Sequence, residues 1–192
     1  MKRPLRIRPR RRRGITVLEL LVASSLTVII VFAAIGALLT TMTSWYRGAG
    51  QIAAETSAKQ AIRTIASELR PAMEVIVDND GNGLTYRLPE RDADGDFQVP
   101  PEWDGVTRRI ELDVASDPPV LRISDGHDWR VIARHVIARD PEWAGGHYRL
   151  FTPGEGTTVR QVTVKVATST PGAGDERVTS RVRETIYLRN VP

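Results

Sequence analysis

Acids spaced for a cation stand at Asp78-x-Asp80-x-Asn82-Gly83, the oxygen ligands and glycine of the first half of a calcium loop. The second half departs from that pattern. Its twelfth position, where a bidentate Glu belongs, is Pro89, and Glu90 comes one place late. A polar β-turn is therefore the expectation for Asp78, Asp80 and Asn82, with calcium as the alternative and no other cofactor. Asp92-Ala93-Asp94-Gly95-Asp96 is a second acidic turn of looser spacing, and the two loops together could share one hard cation. His127, His135 and His147 show no metal-ligand spacing; His127 is expected in a turn and His135 in a strand. Ser124 and Ser180 lack a G-x-S-x-G setting, there is no glycine-rich phosphate loop, and the lack of cysteine excludes thiol catalysis. No catalytic constellation emerges, so the expectation is a protein that is not an enzyme.

Glu19 is the remaining residue of chemical interest, because it opens an apolar run. Residues 20–39 carry no charge, and these twenty residues make a helix of about 30 Å, the thickness of a hydrocarbon core. Val28, Ile29, Ile30, Val31 and Phe32 make its centre apolar on every side. Ahead of it, residues 1–14 form a basic leader. Lys2, Arg3, Arg6, Arg8, Arg10, Arg11, Arg12 and Arg13 are eight of the 27 basic residues, so the other 19 are outnumbered by 23 acids. The pI near 9.8 thus belongs to the leader, and no nucleic-acid partner is expected. Positive charge before an apolar helix keeps the N-terminus in the cytoplasm and sends the remainder across the bilayer. A secretory signal peptide is the competing reading, but its apolar region is shorter, about 7–15 residues, and no A-x-A cut closes this run. An acid at the edge of a membrane helix costs free energy and usually has a partner.

The neighbours of that acid read Arg13-Gly14-Ile15-Thr16-Val17-Leu18-Glu19-Leu20. This resembles the processing site of type IV prepilins and type II secretion pseudopilins: a basic leader, Gly, an apolar residue, Thr or Ser, two mostly apolar residues, Glu, then an apolar helix. Ile15 stands where Phe is commonest, and Val17 is a small departure. The resemblance implies that a prepilin peptidase cuts after Gly14 and methylates the new amine of Ile15. It also implies that Glu19, fifth in the mature chain, meets the N-terminal amine of an adjacent subunit during assembly. Gly14 leaves bare backbone for a protease site. An α-amine has a pKa near 8 and is largely cationic at neutral pH, so the pair relieves two isolated charges in an apolar setting and fixes axial register. Gly36 stands where many major pilins carry a Pro, and either loosens the helix or lets helices pack closely.

Beyond the apolar run, Ile52, Ile62, Ile65, Ala66, Leu69 and Met73 recur at mostly three- and four-residue spacings. The spacing predicts an amphipathic helix that continues the first, with a break expected at Arg47-Gly48-Ala49-Gly50 and an end at Pro71. Strands are expected at 75–77, 84–88, 109–114, 120–124, 129–137, 147–151, 158–167 and 178–188, with a loop over 89–106. Trp103, Trp129, Trp143 and Tyr148 are either an adhesive surface or packing, and packing is the expectation for Trp129 in its strand. The fold class expected is α+β: a long N-terminal helix packed on an antiparallel β head, with a pilin-like plan. The expected organisation is 1–14 leader, 15–40 membrane or filament-core helix, 41–72 amphipathic helix and 73–192 β-rich head.

That layout, with an early hairpin at an Asp/Gly turn and Ile186-Tyr187-Leu188-Arg189-Asn190 near the end, is similar to the larger W-type minor pilins and J-type minor pseudopilins. The resemblance implies a single-pass protein of the bacterial inner membrane, its head periplasmic, that joins a type IV pilus or a type II secretion pseudopilus. The implied partners are the prepilin peptidase, other pilin or pseudopilin subunits, the inner-membrane assembly platform and the lipid bilayer. The alternative is an exported enzyme or binding domain that uses residues 1–40 only as signal or anchor.

Overall fold

The structure is a computed structural model that describes residues 14–98, 100–138, 148–156, 158–172 and 177–190. The basic leader up to Arg13, Trp143, His147 and Gly174 lie outside the described residues. The chain divides into two units, Met1–Ser44 and Trp45–Pro192.

The first unit holds the apolar part of one helix, α1 (Val17–Leu69). Its side chains are open to the surroundings throughout, Leu18 at 73% and Phe32 at 70%. Serine and threonine inside it bond back to the preceding turn. Ser24, Ser25 and Thr27 donate to the carbonyls of Leu21, Val22 and Ala23 at 2.8–2.9 Å. Such hydroxyls need no water, which suits an apolar solvent. The helix is long and apolar enough to cross a membrane, with a mean hydropathy of 2.5 over its most apolar window.

In the second unit the rest of α1 turns one face inward through Ala54, Ala58, Ala61, Ile62, Ile65, Ala66 and Leu69. Two antiparallel sheets complete this unit. The first is a meander of β1 (Glu74–Val77), β2 (Gly83–Pro89), β3 (Trp103–Asp113), β4 (Val120–Ser124) and β5 (Trp129–Arg134), paired in that order. The second is β6 (Phe151–Pro153), β7 (Gln161–Pro171) and β8 (Arg177–Tyr187). Leu84, Tyr86, Ile110, Leu121 and Ile123 from the first sheet and Phe151, Val162, Val164 and Ile186 from the second join the helix face in one core. Period-two alternation on each strand puts these side chains on a single face. The architecture is α+β, as expected.

Several boundaries differ from the sequence reading. The helix runs through Arg47-Gly48-Ala49-Gly50 without a break. Gly50 is instead a contact point: a Cβ there would lie 3.0 Å from the Pro171 carbonyl oxygen. Thr170 Oγ1 donates to the Gly50 carbonyl at 2.6 Å and Thr168 Oγ1 to that of Ala54 at 2.7 Å, so β7 grips this turn through its backbone. Met73 leaves the helix face, because the helix ends at Leu69 ahead of Pro71 and the Met73 amide already bonds Arg87. β3 starts inside the expected 89–106 loop, since Trp103 pairs with Pro89 across a register shift. β5 stops at Arg134, where His135 takes φ 55 and turns the chain. The strand expected at 147–151 begins only at Phe151; Tyr148 is buried and its hydroxyl donates to the Lys165 carbonyl at 2.9 Å.

Candidate functional site

The head of α1 places Gly14, Ile15, Thr16 and Glu19, the residues that resemble a processing motif. Helical geometry begins at Val17, so Thr16 is the N-cap and Glu19 the third helical residue. Glu19 N–H donates to Thr16 Oγ1 at 3.2 Å, and Thr16 N–H donates back to Glu19 Oε2 at 3.0 Å. The Thr16 hydroxyl also donates to the carboxylate at 3.2 Å. This is a reciprocal capping box, T-x-x-E, in which two backbone donors without helical partners are satisfied at once. The sequence reading of Glu19 missed it, although the spacing was visible. Gly14 and Ile15 precede the cap and are exposed, Ile15 at 77%. Nothing lies within 4 Å of where a Cβ on Gly14 or Gly36 would sit, so packing within this chain demands glycine at neither position.

The Asp78 turn is built for a hairpin. Gly81 N–H donates to the Asp78 carbonyl and Asp78 N–H to the Gly83 carbonyl, each at 2.9 Å, which closes β1 onto β2. Gly81 has φ +71 and sits against Arg149, where a Cβ would fall 2.7 Å from that residue's own Cβ. Asp80 accepts from Asn82 N–H at 3.0 Å and from the Asn82 side-chain amide at 3.2 Å. Asp78 Oδ2 is taken by Arg109 at 2.6 Å. A guanidinium there competes directly with a cation, and Asp78 and Asp80 are thus engaged with neighbours; Asn82 gives its side-chain N–H to Asp80, while its Oδ1 is buried without a hydrogen-bond partner. At the second acidic turn, Asp92 accepts from the amides of Asp94 and Asp96 at 3.0 and 2.9 Å. Among the described residues no group of three or more His, Asp or Glu side chains is gathered as a metal ion would require.

Arg109 belongs to a chain of ion pairs along the outer face of the first sheet. It joins Asp78 to Glu111 (2.7 Å), Glu111 joins Arg122 (2.6 Å), and Arg122 joins Asp113 (3.1 Å). Partial burial works against the charge on Glu111, but hydrogen bonds from Arg109 and Arg122 outweigh it and hold its pKa below the ordinary value. Trp129, expected as packing, lies on this face, 44% exposed, with the Arg122 guanidinium 4.4 Å from its ring centre. Trp103 is similar, with Arg87 at 4.6 Å. On the inner face, burial and the nearby Glu68 carboxylate push the Tyr86 phenol well above its ordinary pKa, and its hydroxyl donates to Glu68 at 3.2 Å.

An open cleft of about 320 Å³ lies beside that pair, lined among others by Arg108, Trp129, Arg130 and Asp128. Arg108 is already paired with Asp104 at 2.7 Å, and Ser124 Oγ accepts from Gly126 N–H at 3.1 Å. His127, in its turn as expected, donates its backbone N–H to Asp125 at 3.0 Å. Neither His127 nor His135 holds a serine hydroxyl. The described lining of the cleft therefore offers mixed charge and an aromatic wall.

Comparison with known proteins adds no relative: no family model, no curated protein and no solved structure matches this chain.

Proposed function

We propose that the chain is a minor pilin or pseudopilin subunit, cut by a prepilin peptidase after Gly14, methylated at Ile15 and assembled into a type IV pilus or a type II secretion pseudopilus. The observation that carries this reading is the head of α1. An exposed glycine that packing does not require precedes an exposed apolar residue and a carboxylate one turn into an unburied apolar helix. A helix with such a surface must be covered by lipid or by other apolar helices. Bare backbone at Gly14 suits entry into a protease site at the membrane surface. The carboxylate of Glu19 is exposed; Thr16 takes one of its oxygens, Oε2, and a cationic amine of a neighbour can approach the other. In this reading the first helix serves as membrane span and then as filament core, the head stands on the periplasmic side, and the subunit has no catalysis of its own.

The test is the N-terminus of the membrane-extracted protein, read by intact mass and peptide sequencing with and without a prepilin peptidase. A mature chain that starts at N-methylated Ile15, and that is lost in Gly14→Val, is the expected result. An intact Met1, or an N-terminus near Ala37, would refute the proposal.

One observation favours a second reading, an exported domain on a plain anchor. The capping box gives Glu19 a local task that any membrane helix can use. The two readings separate on whether the charge of Glu19, rather than its hydrogen bonds, is needed.

A further inference from the structure

The uncharged part of α1 is longer than the apolar core of the span. Residues 20–46 hold no charged side chain, and Glu19 and Arg47 close the run. These 27 residues rise about 40 Å, which matches a bilayer with its headgroup layers, about 40–45 Å, rather than the hydrocarbon alone. Near the end of the run the hydroxyls again bond to their own helix. Thr40 donates to the Gly36 carbonyl at 3.0 Å, Thr41 to that of Ala37 at 2.8 Å and Thr43 to that of Thr40 at 2.9 Å. This stretch can therefore enter the acyl–headgroup boundary with those donors satisfied. Trp45 and Tyr46 follow at once, 69% and 50% exposed, their rings edge to face at 5.6 Å between centroids. Rings with an apolar body and a polar N–H or O–H concentrate at headgroup level.

We infer that Trp45 and Tyr46 dock in the lipid headgroup layer of the leaflet on the head side, as an aromatic anchor that sets the depth of α1 in the membrane. Lipid is the occupant because the charge-free length matches the bilayer and because the pair continues the apolar span without interruption. The anchor rests on the span alone; it goes beyond the pilin reading and holds whether or not Gly14 is cut.

The experiment uses the full chain in phosphatidylcholine–phosphatidylglycerol vesicles, with Trp103, Trp129 and Trp143 changed to Phe so that Trp45 alone fluoresces. Lipids brominated near the top of the acyl chain should quench it at least about twofold more than lipids brominated near the chain end. Aqueous iodide should quench it less than it quenches free tryptophan. If the triple variant does not fold, the difference between the native chain and Trp45→Phe in the same vesicles isolates the same signal. Iodide quenching equal to that of free tryptophan would overturn the inference by placing the ring in water. Strongest quenching from the deep bromines would overturn it by placing the ring in hydrocarbon, and protection from both quenchers would overturn it by showing a protein cover.

Discussion

Glu19→Gln separates the two tasks that the Glu19 carboxylate is read to perform. Glutamine has the same length and keeps an acceptor oxygen, so it can still take the Thr16 N–H that Glu19 accepts at 3.0 Å. It cannot neutralise an amine. Thr16→Ala is the converse: it removes the hydroxyl that accepts Glu19 N–H at 3.2 Å and should cost the helix about 1 kcal/mol, while the negative charge stays in place. Helix content in detergent, by far-ultraviolet circular dichroism, should then be unchanged in Glu19→Gln and slightly frayed in Thr16→Ala. Assembly should invert that order. If a neighbour's amine enters an apolar filament core beside residue 19, an unpaired buried charge disfavours the contact by about two orders of magnitude. Glu19→Gln should therefore insert and be cut at Gly14, yet be nearly absent from sheared filaments on an immunoblot, while Thr16→Ala is recovered there. Filaments carrying Glu19→Gln at the native level would refute the reasoning and leave Glu19 as a helix cap.

Other perturbations test the head. Gly50→Val should destabilise the second unit by about 1–3 kcal/mol, because its Cβ meets the Pro171 carbonyl oxygen at 3.0 Å, whereas Gly48→Ala, in open space, should stabilise α1 by up to about 1 kcal/mol; thermal melts in detergent that fail to separate the two would sink the packing argument. Glu111→Gln should cost about 1 kcal/mol at pH 7, or about 2–4 °C in melting temperature, by removing the negative charge and one of the two carboxylate oxygens that Arg109 and Arg122 engage. The folded pKa of Glu111 lies below its ordinary 4.5, so the native advantage is complete above that value and is lost as pH falls through the folded value. The gap in melting temperature between native and Glu111→Gln should thus shrink from pH 7 to pH 3, and a constant gap would disprove the link.

Much of the layout was legible in the chain. An uncharged run of bilayer length and the T-x-x-E spacing are local signals, each set by neighbours within a few residues, although the second was not read as a helix cap. β4 was read at its observed limits, 120–124, because its apolar run is bounded by Pro118-Pro119 and Asp125-Gly126. Strand ends that depend on partners were not legible: β3 reaches back to Trp103 only because Pro89 lies opposite it.

The sequence by itself determined the elements whose cause is local: the long apolar helix, its T-x-x-E cap, the Asp78–Gly83 turn and the alternation of the longer strands. Only the tertiary structure decided what those elements meet. It gave Asp78 to Arg109, 31 residues away, and so turned a cation-like triplet into one end of an ion-pair chain. It made Gly50 the seat of Thr170, 120 residues away, where the sequence suggested a break. It put Trp129 on the outer face under Arg122, since register decides which face a strand residue takes, and register is a property of paired strands.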